Sequence, residues 1–116
     1  MSEHLPIQAV GHDVCVAPQL TPDAMSAVAA SGFKSVVNNR PDFEGGPDQP
    51  TSAAIEAAAR AAGLQYVYLP VQGGYQSPEE IAQFAELLRT LPYPVLAFCR
   101  SGARSGRLYA QAVALG

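Results

Sequence analysis

The chain has 116 residues and a mass of 12.1 kDa, the size of one compact domain, so a multidomain organisation is excluded. Hydrophobic residues make up 48% and charged residues 15%, a balance that fills a core and excludes intrinsic disorder. The net charge of -3 excludes broad electrostatic binding to nucleic acid or to an anionic membrane surface, so any anion chemistry has to be local.

Turn signals divide the chain into short apolar runs, typical of strands, and longer amphipathic runs, typical of helices. The first strand is predicted over residues 14–17, and the first helix runs from its N-cap Thr21 to Ala30. A second strand follows over residues 33–38. Residues 40–50 hold three prolines and two glycines, which predicts a loop there.

The second half of the chain continues this alternation. Ser77 and Glu80 have the spacing of a capping box, which marks the start of a helix. Glycine or proline bounds the neighbouring runs. The predicted elements are a helix at residues 52–62, a strand at 65–71, a helix at 77–89, a strand at 94–98 and a helix from 102 onward.

This alternation predicts one three-layer α/β domain over residues 1–116, with a mainly parallel central sheet and helices on both faces. In such sheets ligands bind beyond the carboxyl ends of the strands. The loops at residues 38–42, 71–75 and 99–105 are therefore expected at one edge of the sheet, where they form the candidate site.

The sequence also excludes several kinds of site. Two cysteines are too few for a disulfide scaffold, and both histidines lie near the start of the chain, outside any clustered set of zinc ligands. We therefore expect neither a metal nor a cofactor. No apolar run approaches the roughly 20 residues of a membrane span, and residues 1–10 lack a signal-peptide pattern. These features predict a cytoplasmic domain that does not contact a membrane.

The loop after the last predicted strand carries the candidate chemistry. Cys99 lies between a buried strand and a helix N-terminus, where backbone N–H groups and the helix dipole favour negative charge. Together with Ser105 and the guanidinium of Arg104, these groups are expected to lower the pKa of Cys99 and make it a nucleophile. The catalytic candidates are thus Cys99, Arg104 and Ser105, and the candidate binding residues beside them are Arg100, Ser101, Gly102 and Ala103.

A buried core thiol is the alternative interpretation of Cys99, because free cysteines are commonly buried. A core thiol does not require Gly102, which lets the backbone approach an anion, or Arg104, which faces one. We therefore predict that Cys99 is an accessible, acidic thiolate. Cys15, on the first predicted strand, is expected to pack in the core.

Four segments together resemble a known family: QLTPDAMSAVAASGF, VVNNRPD, YVYLPV and FCRSGARS, in that order from residue 19. They are similar to the beta-lactamase hydrolase-like proteins, phosphatase-like domain. The resemblance implies a fold like that of dual-specificity and tyrosine phosphatases and an active loop like that of rhodaneses. Family members occur alone or fused to persulfide dioxygenases or sulfide:quinone oxidoreductases, which implies such a partner and a place in sulfide metabolism.

The resemblance leaves two reactions open for Cys99. Rhodanese-like sulfur transfer through a Cys99 persulfide is preferred, because four residues separate Cys99 from Arg104, as in rhodaneses, whereas cysteine phosphatases have five. In the phosphatase alternative Cys99 forms a phosphocysteine and Ser105 assists its release. That reaction usually needs an aspartic acid where this sequence has Gln72. Asp42, Glu44 or Asp48 from the loop at residues 40–50 is the candidate general acid, with Asp42 the first choice, unless these carboxylates only form turns and face solvent. The substrate is accordingly a small-molecule sulfur donor or a phosphate ester.

Two residues outside the cysteine loop are further candidates for substrate binding. Arg40 follows a predicted strand and would add a second cation, or it ties the loop at residues 40–50 to the body of the domain. Gln72 lies in the loop after the strand at residues 65–71. A third interpretation is a non-catalytic module that uses the same loop to bind anions within a larger protein.

Overall fold

The computed structural model describes residues 6–115. Residues 1–5, which include His4 and form half of the segment at residues 1–10 that lacks a signal-peptide pattern, lie outside the described range. Within it the chain forms five strands, β1 to β5, at Gln8–Gly11, Val14–Ala17, Ser35–Asn38, Gln65–Tyr68 and Val95–Phe98. Four α-helices, α1 to α4, lie at Met25–Ala30, Ser52–Ala61, Pro78–Thr90 and Ala103–Ala114, and a single 3₁₀ turn leads into α1.

The strands form one sheet in the order β1-β2-β5-β3-β4. The β2, β5, β3 and β4 strands are parallel to their neighbours, and β1 is antiparallel to β2. This arrangement confirms the predicted α/β class. Strand β1 was not predicted, because an edge strand of four partly exposed residues has no apolar pattern. It turns back into β2 at Asp13, whose φ of 60° is a left-handed conformation that aspartate tolerates.

Two apolar clusters fill the two faces of the sheet. Alternate residues of β5 divide between them, since Leu96 and Phe98 pack on one face and Val95 and Ala97 on the other. The first cluster packs against α1 and α2, and the second packs against α3 and α4. The predicted three layers are therefore confirmed. None of the helices within residues 6–115 is long and apolar enough to cross a membrane.

Local signals set most element boundaries. The capping box is confirmed, because Ser77 Oγ accepts from the Glu80 N–H at 3.1 Å and Glu80 Oε1 accepts from the Ser77 N–H at 2.8 Å. Thr21 has an extended backbone but makes no side-chain capping bond. The strand predicted over residues 65–71 ends at Tyr68, two residues before Pro70, which has no N–H to donate to the sheet.

The parallel strands end at a common level, and this alignment positions the candidate site. The last residues of the four strands, Ala17, Phe98, Asn38 and Tyr68, are partners in the sheet register. The following loops therefore start side by side at one edge of the sheet, as predicted. The segment from Arg40 to Pro50 contains neither helix nor strand, in agreement with its proline and glycine content.

Candidate active site

The cysteine loop joins β5 to α4 at the carboxyl edge of the sheet. The Cys99 N–H donates to Ala17 O at 3.2 Å. Gly102 is the N-cap of α4 with φ of 93°, and a Cβ there would lie 3.3 Å from the Ala17 carbonyl carbon. A larger residue would meet both left-handed strain and crowding. The turn that brings the loop amides back to Cys99 therefore requires glycine.

The loop holds the Cys99 sulfur as a hydrogen-bond acceptor. Its Sγ accepts from the Gly102 N–H at 3.1 Å. Burial of the side chain opposes ionisation, but hydrogen bonds from Ser105, Gly102 and Ser101 outweigh it and lower the pKa of Cys99 below the ordinary value of 9.0. Arg104 is not among these groups, although the sequence predicted that it would contribute. Hydrogen bonds rather than the arginine charge thus stabilise the thiolate.

The Ser105 hydroxyl connects Cys99 to Asn39, the residue after strand β3. Its Oγ donates to Asn39 Oδ1 at 2.8 Å, and the same hydroxyl helps to lower the pKa of Cys99. Because a hydroxyl carries one proton, it can serve these two acceptors only in turn. Asn39 is fixed by its own Nδ2 bond to Leu69 O at 3.0 Å. Ser105 therefore lies where it can donate to the sulfur when Cys99 is charged.

The two cysteines differ in pKa and in exposure. Burial, with a contribution from Asp13, raises the pKa of Cys15. Cys15 is partly exposed and packs against the first apolar cluster. Cys99 has the lowered pKa but is only 1% exposed. The expected direction of its pKa shift therefore agrees with the structure, but the prediction of an accessible thiol is wrong. The loop that stabilises the thiolate also encloses it.

Arg104 is buried, and its donors divide into two groups. Nη1 donates to Glu44 Oε2 at 3.1 Å and to Val71 O at 3.0 Å, and Nη2 donates to Glu44 Oε1 at 3.0 Å. Nε is buried and has no hydrogen-bond partner within residues 6–115. In a planar guanidinium the Nε–H and one Nη2–H lie on the same side and form a second fork. Arg104 therefore binds Glu44 with one fork, whereas the Nε–H of its second fork, the Nε/Nη2 edge, has no partner within residues 6–115.

Gly73 borders that edge and has no side chain to crowd it. A Cβ at this position would lie 3.3 Å from Nη2 and 3.5 Å from Nε of Arg104. At Gly74 an added Cβ would meet nothing within 4 Å, and neither glycine has a left-handed φ. The two positions thus differ in the space available for a side chain, and at neither does a left-handed φ add strain.

Gly73→Ala should therefore weaken oxyanion binding about three- to tenfold, equivalent to roughly 0.7–1.4 kcal/mol, because the methyl group crowds the Nε/Nη2 edge. The measurement is the dissociation constant of inorganic phosphate, determined by calorimetry or as competitive inhibition. Gly74→Ala is the matched control and should bind phosphate like the unaltered protein. Equal affinities for the two variants would show that the oxyanion does not bind at this edge of Arg104.

Glu44 links the two buried arginines of the site. Besides its two contacts with Arg104, its Oε1 accepts from Arg40 Nε at 2.9 Å. Burial of the carboxyl group favours the neutral form, but hydrogen bonds from Arg104 and Arg40 outweigh it and lower the pKa of Glu44. Glu44 is therefore ionised at neutral pH and fixes the orientation of Arg104.

The structure brings the predicted cations together. Arg40, Arg100 and Arg104 line one pocket of about 510 Å³ with Glu44 and Gly45. Arg40 also donates from Nη1 to Gln19 Oε1 at 3.1 Å, so it both ties the loop to the body and presents charge to the pocket. The two roles that the sequence left open for Arg40 are compatible.

Other predicted site residues lie elsewhere. Asp42 Oδ1 accepts from the Ser52 N–H at 2.7 Å, at the start of α2, so its carboxylate supports that helix. The side chain of Gln72 is exposed and is not part of the pocket lining. A separate hollow of about 280 Å³, bordered by β1 and β2, is lined by the middle of the cysteine loop: Ser101, Gly102 and Ala103.

Residues 6–116 match the family described as beta-lactamase hydrolase-like protein, phosphatase-like domain. The chain belongs to this family. The resemblance carried by the four sequence segments is thereby confirmed.

Family members with curated names are much longer than this chain. A beta-lactamase hydrolase-like protein of Xylella fastidiosa is 37% identical over 101 residues, which are 87% of this chain and 23% of that protein. The chain thus spans about a quarter of the length of the curated relative.

Solved structures identify the fold. A Neisseria meningitidis protein, whose assignment as a phosphatase is provisional, is 31% identical with a TM-score of 0.84, and the match covers 91% of this chain and 75% of that one. Kinase-associated phosphatase, solved with its catalytic-site cysteine replaced by serine, is 14% identical with a TM-score of 0.70, covering 97% and 73%. The predicted cysteine-phosphatase fold is confirmed.

Proposed function

We propose that this domain is a phosphatase that uses Cys99 as its nucleophile. The observation that carries the proposal is the Cys99 sulfur, which accepts loop hydrogen bonds at a helix N-terminus and has a lowered pKa. The family description and the fold of the solved relatives support the same chemistry. These relatives favour phosphate hydrolysis over the sulfur transfer that the sequence first suggested.

The proposed reaction assigns a role to each group around the sulfur. The Cys99 thiolate attacks phosphorus and forms a phosphocysteine, and the leaving group departs with the electron pair of the broken bond. The free Nε/Nη2 edge of Arg104 and the loop amides bind the phosphoryl oxygens. Water then cleaves the phosphorus–sulfur bond, and the Ser105 hydroxyl donates to the returning thiolate. Arg100 and Arg40 add positive charge to the pocket.

Sulfur transfer is the second candidate, favoured by one observation. Sulfite and thiolate leaving groups need no strong acid, and the carboxylate that lines the pocket, Glu44, is held ionised by two arginines. The names of the family and of its relatives do not mention sulfur chemistry. A sulfane-sulfur donor and a fused persulfide dioxygenase or sulfide:quinone oxidoreductase therefore remain expectations from the resemblance.

The test compares second-order rate constants for the two reactions of Cys99. We expect hydrolysis of p-nitrophenyl phosphate to exceed sulfur transfer from thiosulfate or glutathione persulfide to cyanide. Mass spectrometry of protein quenched in acid during turnover should detect a phosphoryl group on the Cys99 peptide. Faster sulfur transfer, with a persulfide on that peptide, would reverse the assignment. Binding of phosphate without turnover of any substrate would identify a non-catalytic anion-binding module.

A further inference from the structure

The pocket beside Arg104 is strongly cationic although the whole chain is acidic. Three guanidinium groups and one carboxylate line it, whereas the net charge of the chain is -3. Arg104 and Arg40 share the carboxylate of Glu44. The side chain of Arg100 is exposed and makes no hydrogen bond or ion pair with other groups in the described part of the chain. Its charge is free to meet a ligand.

Within residues 6–115, the same pocket has no carboxylic acid that could protonate a leaving group. Glu44 is the carboxyl residue among the described residues that line it, and hydrogen bonds from two arginines keep it ionised. Asp42 is occupied at the start of α2, and Gln72 has an amide that cannot act as an acid at neutral pH. Protonation of an alkoxide or phenoxide leaving group is typically worth about 10² to 10⁴ in rate. Substrates with such leaving groups would forgo this acceleration.

We propose, resting on the proposed function, that the substrate is a phosphoanhydride, in which the transferred phosphoryl group is attached to a second phosphate. The ionised Glu44 and the arginines of the pocket support this class. A hydrogen phosphate leaving group is stable as an anion without further protonation, and a second phosphate supplies negative charge for Arg100 and Arg40. The pocket of about 510 Å³ beside Arg104 has room for the second phosphate.

The bonds and charges of this reaction balance with water as the second reactant. The Cys99 sulfur forms a bond to the terminal phosphorus, the bridging oxygen–phosphorus bond breaks, and its electron pair stays on the departing phosphate. Water then adds to the phosphocysteine as the phosphorus–sulfur bond breaks, and both protons of the water leave on inorganic phosphate. The thiolate is restored, and its hydrogen bonds from the loop and from Ser105 form again.

The first experiment measures how the rate depends on the leaving group. For a series of aryl phosphates whose phenols differ in pKa, kcat/KM should fall steeply as the phenol becomes less acidic. Inorganic pyrophosphate should be hydrolysed at least about tenfold faster than p-nitrophenyl phosphate, because its second phosphate meets Arg100. Phosphoserine should be hydrolysed at least about 10²-fold more slowly than p-nitrophenyl phosphate, because its alkoxide leaving group needs an acid. A shallow dependence on the phenol, or phosphoserine hydrolysis comparable to that of pyrophosphate, would overturn the proposal.

The second experiment tests the contact with the leaving phosphate. Arg100→Gln should lower kcat/KM for pyrophosphate about tenfold and lower that for p-nitrophenyl phosphate by less, because only pyrophosphate carries a second phosphate. Arg89→Gln, which removes an exposed arginine of α3, is the matched control. Equal losses for the two substrates would contradict recognition of a second phosphate. Absence of hydrolysis of every phosphate substrate would instead overturn the proposed function itself.

Discussion

Replacement of Cys99 by serine should reduce turnover at least about 10³-fold, because a hydroxyl at neutral pH is a far weaker nucleophile than the thiolate stabilised by the loop. The change is small in volume, and Ser105 and the Gly102 N–H still have an oxygen to donate to. The fold should therefore be kept. The measurement is kcat/KM for p-nitrophenyl phosphate, with thermal unfolding to compare the stability of the two proteins.

Cys15→Ser is the matched control, since it makes the same atomic change at the other thiol. Cys15 lies on β2 with a raised pKa, and no proposed step uses it. Its turnover should stay within about twofold of the unaltered protein. Full activity of Cys99→Ser, or a comparable loss in Cys15→Ser, would contradict the assignment of Cys99 as the nucleophile.

The pH dependence of turnover should report the ionisation of Cys99. Because its pKa is lowered, the thiolate forms at a lower pH than in an ordinary cysteine. The rate should therefore rise with pH through this lowered pKa and then level off, with no loss at higher pH from deprotonation of a carboxylic acid. Ultraviolet absorbance of the thiolate in Cys15→Ser should give the same midpoint. A midpoint at or above the ordinary cysteine pKa of 9.0 would contradict the role of the loop amides.

The sequence was sufficient to predict the parts of this structure that have local causes. Apolar runs bounded by glycine or proline indicated the four parallel strands, and the common edge followed from their direction. The cysteine loop was also local, because Cys99, Gly102 and Arg104 lie within six consecutive residues between a strand and a helix. The edge strand β1 was missed because its pairing with β2, and not its own composition, makes it a strand.

The pairing of Arg104 could not be predicted from sequence. Glu44 is 60 positions away and lies in a loop without regular structure, so no spacing relates the two residues. Asp42 and Glu44 are alike as candidate acids in sequence, but the structure places one at the start of α2 and the other between two arginines. The sequence shows that both residues are acidic and lie in one loop. Which groups their carboxylates contact depends on the tertiary structure.

The contacts of Arg104 predict a second large loss of turnover, caused by a change in the shape of this side chain. Arg104→Lys keeps the positive charge but has one nitrogen in place of the two forks of the guanidinium. An ammonium group cannot bind both oxygens of Glu44, Val71 O and a substrate oxyanion at the same time. We expect kcat/KM to fall at least about tenfold, equivalent to roughly 1.4 kcal/mol of transition-state stabilisation.

A matched control separates this effect from the loss of any arginine. Arg60→Lys makes the same change at an exposed arginine of α2 that pairs with Glu56, and its kinetics should be unaltered. The inhibition constant of inorganic phosphate should rise in Arg104→Lys together with the fall in kcat/KM. If turnover fell while phosphate affinity was unchanged, Arg104 would only hold the loop at residues 40–50 in place. If turnover and phosphate affinity fell together, the Nε/Nη2 edge of Arg104 would be assigned to the substrate. The contacts of Arg104 with Glu44 and Val71 leave the Nε of that edge without a partner within residues 6–115.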